Sequence, residues 1–206
     1  MIELSPKQQT FLQRLAQTNP GLAEGLRPRA PGPPDVAMCT HEAAHAAALH
    51  AFGRRIDHAA ANDTQGHVKP EGGTTSLSDL LQHLIMVLAG DMSTPEQPPL
   101  SRQAWADILA GKAADYVQSD ERTVGLFARH LAGDGSTIVD QLAVIETAWN
   151  AAVDMFAERG FWPAVLAIAS VLRVEHRLDG ARIHGLAEQH IAFGSLKSKE
   201  PYQWKN

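Results

Sequence analysis

A single cysteine, Cys39, stands in a chain of 206 residues. Internal disulfides and cysteine-rich zinc modules are therefore excluded, and Cys39 reads as a small buried residue of a helix. No apolar run approaches the roughly 20 residues that a membrane helix needs. The first ten residues, MIELSPKQQT, lack the basic and apolar regions of a signal peptide. The expected place is the cytoplasm, with no membrane partner. The chain also lacks a Lys/Arg cluster, and its formal net charge is -5. Neither feature suits a phosphate backbone, so nucleic acid is not an expected partner. No internal repeat is visible.

What remains is an ordinary globular composition, with 20% charged residues and a length that sustains one domain with an appendage. Residues 6–17 have the spacing of a short amphipathic helix, and the Pro/Gly-dense stretch 18–34 reads as a connector. Asp35 is placed as an N-cap for a helix over 36–50 that Gly53 closes. Residues 54–75 alone have a β flavour, with candidate strands at 56–60 and 66–69. Ser76 caps a helix in which Leu77, Leu80, Leu81, Leu84, Ile85 and Leu88 form an apolar stripe. A Pro-rich loop follows at 93–102, and helices are expected over 103–116, 120–132, 137–159, 162–177 and 180–190. In the longest, Ile138, Leu142, Ile145, Trp149, Val153 and Phe156 recur at core spacing. The expected fold is mostly α (α+β), with an N-terminal segment 1–35, a main domain 36–192 and a flexible tail 193–206.

The first strong helix contains His41-Glu42-Ala43-Ala44-His45. Residues four apart on an α-helix differ by about 40° around the axis. His41 and His45 therefore project from one face and can share a tetrahedral Zn²⁺, the expected cofactor. Glu42 lies beside them, placed to take a proton from a water that the metal holds and activates. That is the chemistry of HExxH metallopeptidases, with Glu42 as the catalytic base. The small residues around the pair suit a helix packed closely behind a cleft.

A catalytic zinc needs a third protein ligand. Ala48 and Ala51 occupy the positions where a metzincin has Gly and His, so that class fails. His50 points about 140° away from His45. Glu71 sits in a turn-rich stretch and is a poor match for a ligand on a following helix. Three acids are left, Asp91, Asp115 and Asp120, and spacing alone does not choose among them. His58 and His67 read as solvent-facing strand histidines.

The stretch VAMCTHEAAHAAALHAFG (36–53) resembles the zinc helix of the FtsH-type proteases, membrane-bound AAA+ zinc peptidases whose motif is typically HEAGH. In that family the third ligand is an aspartate that opens a helix, with an Ala-Arg pair eight and nine residues later. Asp120 has Ala128-Arg129 at those offsets, so the resemblance favours Asp120. LIMVLAGDM (84–92) is similar to the apolar helix that runs into the family's Gly-Arg-x-Ala-Glu-Glu stretch. Residues 162–186 resemble its closing helices, with Leu178, Gly180 and Ile183 in a Leu-x-Gly-x-x-Ile pattern. The family also implies an edge strand near 56–70, able to bind extended peptide by strand addition.

The departures are specific. HEAGH has become HEAAH, the acidic pair after Gly90 is lost, and the sequence has neither a GxxxxGK[ST] loop nor a membrane anchor. The resemblance thus implies an ATP-independent zinc metalloendopeptidase acting on flexible or unfolded peptide substrates. Its metal ligands are expected to be His41, His45 and Asp120. The alternative is a zinc-binding but catalytically silent regulatory or interaction domain, although retention of Glu42 speaks for hydrolysis. A homo-oligomer stays open, since the family forms rings to which its ATPase modules contribute.

Overall fold

The computed structural model describes residues 34–62, 65–72, 76–93, 100–112 and 119–196. The expected N-terminal helix at 6–17, the connector before Pro34, Asp115 and the tail beyond Leu196 lie outside these residues. The elements in chain order are α1 (Val36–Ala51), β1 (Ile56–Ala61), β2 (Gly66–Pro70), α2 (Leu77–Met92) and α3 (Arg102–Leu109). They are followed by α4 (Ser119–Ala132), α5 (Ile138–Ala157), α6 (Phe161–Glu175), β3 (Arg177–Asp179) and α7 (Gly180–Ala187). The fold is mostly helical with one small sheet, the class read from the sequence.

Alanine explains the central position of α1. Ala43, Ala44, Ala46, Ala47, Ala48 and Ala51 are all fully buried. Side chains this small let α6 and α2 close on the helix while the sheet also packs against it. A helix buried on most of its circumference has no polar face to present to solvent. The Asp35 side chain caps its start by accepting from the Ala37 amide. At the far end, the Gly53 and Arg54 amides bond back to the His50 and Leu49 carbonyls, closing it in a Schellman turn.

The sheet has the order β2-β1-β3, with both pairings antiparallel. β1 and β2 are joined in a hairpin with Ala59 opposite Val68, and the register shifts between Ile56 and His58. The third strand is absent from the sequence reading, which continues the helix to 177. Instead α6 ends at Glu175, His176 takes a left-handed conformation (φ 62°), and Arg177–Asp179 pair with β1. A strand of three residues has too little periodicity to announce itself; its partner defines it.

Two other expectations change. α3 stops at Leu109 rather than continuing to 116, because Gly111 adopts φ 72°. The Gly111 and Lys112 amides then bond to the Ile108 and Asp107 carbonyls in a second Schellman closure. On α5 the buried stripe runs through Leu142, Ile145, Ala148, Ala152 and Met155, while Ile138 and Val153 are exposed. Leu142 and Ile145 keep their expected places, and the buried face then turns to Ala148, Ala152 and Met155 in place of Val153. The α2 stripe holds at Leu80, Leu81, Leu84, Ile85 and Leu88 and widens to Met86, Val87 and Ala89, since α2 touches α1, α4 and α5. Past α7 the chain stays attached as far as Leu196, whose amide bonds the Ala51 carbonyl.

Among the described residues no single helix is long and apolar enough to cross a membrane. α5 and α6 would qualify only together, and they meet at a bend of 84°. Their apolar faces are part of the core.

Candidate metal centre

Three elements converge on one point. α1 supplies His41 and His45 from one face, the last turn of α2 passes behind them, and the first turn of α4 brings Asp120. His41 Nε2 lies 2.8 Å from Asp120 Oδ2 and 2.9 Å from His45 Nε2, and His45 Nε2 lies 3.3 Å from the same Asp120 oxygen. The two rings stand edge to face, 86° apart in plane. Residues 79 and 75 positions apart in sequence thus present two nitrogens and one oxygen to a common centre.

The second nitrogen of His45 sets its chemistry. Nδ1–H donates to the Met86 carbonyl at 2.8 Å, so the neutral ring directs the Nε2 lone pair at His41 and Asp120. A ring nitrogen fixed through a carbonyl in this way is the usual support of a metal-ligating histidine. Around tetrahedral zinc, with bonds of about 2.0–2.1 Å, neighbouring donors sit roughly 3.3–3.4 Å apart. The His45–Asp120 pair has that spacing, the two pairs that include His41 are about half an ångström tighter, and the three donors match a zinc donor set in type. His41, Glu42, His45 and Asp120 are residues able to hold a metal ion.

Without an ion the same atoms must share protons. Burial alone would lower the His45 pKa, but the hydrogen bond to Asp120 and the charges of Glu42 and Asp120 outweigh it and push it up to about 9. Asp120 is the converse case. Burial would raise its pKa, yet the hydrogen bonds and charges of His41 and His45 hold it well below the usual carboxylate range.

Glu42 is 4% exposed, and its Oε2 is buried without a hydrogen-bond partner among the described residues. Burial raises its pKa against the opposing charges of His45 and His41. A buried acceptor with no donor is costly, and such atoms in proteins are commonly met by water or ligand. Two glycines make the arrangement possible. A methyl at Gly90 would overlap the imidazoles of His45 and His41, and one at Gly66 would overlap the Glu42 side chain. Gly90 thus lets the rings lie against α2, and Gly66 lets the start of β2 lie across Glu42.

Asp91 also arrives here. The sequence offers it as one of three acids, and the structure puts it with Asp120 rather than in competition with it. His41, Asp91 and Asp120 form a second group of donors within 4.8 Å of one another. Burial, reinforced by the charges of Asp120 and Glu121 against that of His41, pushes Asp91 up to about 6. Periodicity could not find this, because it does not say which helix ends meet.

The other histidines are elsewhere. His50 is fully buried, donates from Nε2 to the Ile191 carbonyl and meets His184 at 2.9 Å. These two histidines line a cavity of about 290 Å³ with Arg55, Glu71, Glu188 and Phe193, and that cavity contains none of the metal-centre residues. His58 and His67 pair with each other at 3.0 Å. Adjacent strand residues point to opposite faces, so His67 faces away from the side on which Gly66 meets Glu42. His58 is only 9% exposed, which corrects its reading as a solvent-facing group. Arg129 donates to the Leu109 carbonyl and ties α4 to α3.

The chain matches no family model and no curated protein.

Proposed function

We propose that the protein is a zinc-dependent hydrolase of the HExxH type, and specifically a metalloendopeptidase acting on flexible or unfolded peptide. The carrying observation is the convergence of His41 Nε2, His45 Nε2 and Asp120 Oδ2 within 2.8–3.3 Å of one another, beside Glu42. The resemblance of residues 36–53 and of the Asp120-to-Arg129 spacing to FtsH-type peptidases supports the peptide as substrate.

In this reading His41, His45 and Asp120 hold the ion. Zinc bound there supplies Lewis acidity toward a water and a substrate carbonyl. Glu42 takes the proton of the attacking water at its carboxylate and returns it to the leaving amine. Burial that raises the Glu42 pKa makes it a stronger base than an exposed glutamate. His45 is kept in the correct tautomer by the Met86 carbonyl. An extended peptide would add beside β2, whose first residue covers Glu42.

One observation favours the second reading, a zinc domain without turnover: Glu42 is buried under the start of β2. A pair of variants separates the readings. Protein purified without chelator or His tag is expected to contain about one zinc per chain by elemental mass spectrometry, and Asp120→Ala much less. Glu42→Gln should keep its zinc and lose about 10²–10⁴-fold in peptide turnover, the usual contribution of a general base. Zinc in the wild type with no cleavage of any peptide in a library would select the silent domain. Undiminished hydrolysis by Glu42→Gln would eliminate the mechanism.

A further inference from the structure

The cavity of about 290 Å³ is built by the end of α1, the start of β1, the residue after β2, and α7. Its volume stands at the lower limit of small-molecule sites, which run from about 300 to 1,000 Å³. Ile56, Gly180, Ala181 and Phe193 supply an apolar lining, and the Phe193 ring stands at 72° and 88° to the imidazoles of His50 and His184. Arg55, Glu71 and Glu188 supply the charges. Glu188 is held in place, since its Oε2 accepts from the Phe193 amide at 3.0 Å and lies 3.3 Å from His50 Nε2. The Glu71 amide donates to the Arg55 carbonyl at 2.9 Å, yet no ion pair joins the two side chains. Opposite charges left apart on a surface are ordinary in themselves; here they border one apolar cavity with a third charge beside them. Burial, with the charge of His50 second, lowers the His184 pKa, and Glu71, Glu188 and Arg55 are close enough to act on it too. Burial lowers that of His50 as well, so neither imidazole adds a cation at neutral pH. The cavity therefore presents one guanidinium, two carboxylates and an apolar wall.

We propose that this cavity binds a free α-amino acid with an apolar or aromatic side chain. Arg55 takes the α-carboxylate through the paired N–H donors of its guanidinium. Glu71 and Glu188 take the α-ammonium, which the face of Phe193 also favours. The ligand's side chain lies against Phe193, Ile56 and Ala181. A simple amine would leave Arg55 without an anion, and a simple carboxylate would bring a third negative charge to Glu71 and Glu188. A molecule with both charges a short distance apart answers the whole lining. The interior of a peptide carries neither charge and each of its ends only one, so the site selects the free amino acid over a chain. The inference does not depend on the metal centre, whose residues take no part in this cavity.

The test is an NMR titration of the full, ¹⁵N-labelled chain with each apolar and aromatic L-amino acid in turn. At least one should bind saturably, with a Kd of about 1 mM or tighter. Removing either charge of that ligand, as its N-acetyl derivative or its amide, should weaken binding at least about tenfold. Arg55 and Glu71 are exposed, so Arg55→Gln and Glu71→Gln should leave the fold unchanged by circular dichroism. Arg55→Gln should bind the amino acid at least about tenfold more weakly than wild type and its amide equally well. Glu71→Gln should likewise lose affinity for the amino acid and keep that for the N-acetyl derivative. No saturable shift with any of these amino acids, an amide that binds as tightly as the parent, or undiminished binding by Arg55→Gln overturns the proposal. The comparison of derivatives uses the wild type alone and is decisive if a variant does not fold.

Discussion

At the scale of single residues, the convergence of His41, His45, Asp120 and Glu42 depends as much on two missing side chains as on those present. A β-carbon at Gly90 would overlap the rings of His45 and His41, whereas the three atoms nearest to one at Gly66 all belong to Glu42. The two alanine variants should therefore fail differently. Gly90→Ala displaces the imidazoles and should weaken zinc binding by about 10–100-fold, the range seen when the support of a metal ligand is disturbed. Gly66→Ala should leave zinc affinity close to wild type and reduce turnover, because Glu42 must change rotamer to escape the methyl. Chelator competition and peptide hydrolysis on both variants check this; equal metal loss in the two would refute the separation. Little of it was legible in the sequence. His41, Glu42 and His45 are legible because one helix sets their geometry, but a glycine in a helix or strand does not announce the imidazole or carboxylate that will rest on it.

Among the elements, α1 carries the largest constraint. Its buried alanines hold α2 and α6 close enough for the Met86 carbonyl to reach His45 and for Gly90 to lie behind both rings. Ala47→Leu inserts three carbons into a site with no free surface. Overpacking of that kind costs about 1–3 kcal/mol, which urea denaturation at neutral pH measures directly. A variant as stable as the wild type would mean that α1 and its neighbours are less tightly packed than described. The alanine run was legible as a helix that packs closely, but not which helices pack on it. The third strand shows the same limit from the other side. Arg177–Asp179 becomes a strand only because β1 offers it a partner.

For the molecule as a whole, His50 and His184 join the end of α1 to α7 across 134 positions of sequence. Burial lowers the pKa of both, opposed at His50 by the Ile191 carbonyl and Glu188, and reinforced at His184 by the charge of His50. Below about pH 6.5, the ordinary histidine value, the unfolded chain binds protons that the folded one refuses. The pair's contribution is thus complete above that pH and lost as pH falls toward the folded values. The stability advantage of the wild type over His184→Gln should therefore be largest near pH 7.5 and shrink by pH 5.5. Urea midpoints of both proteins, measured at each pH after chelator treatment, test it; a gap that widens on acidification would reverse the assignment. The angle of His50 on the helix turns it away from His41 and His45, yet the sequence gave no sign of His184 as its partner.

The sequence by itself determined what lies within one element. A four-residue spacing puts His41 and His45 on one face with Glu42 beside them, Gly and Pro mark where helices end, and the periodicities make the fold mostly helical. Tertiary structure alone decided which distant groups meet. It set Asp120 against both imidazoles, brought Asp91 to the same point instead of leaving it a rival, and laid Gly66 over Glu42. Helical periodicity is a property of neighbours along one chain segment, whereas the meeting of α1, α2 and α4 depends on how their buried faces pack together, and no local pattern encodes that.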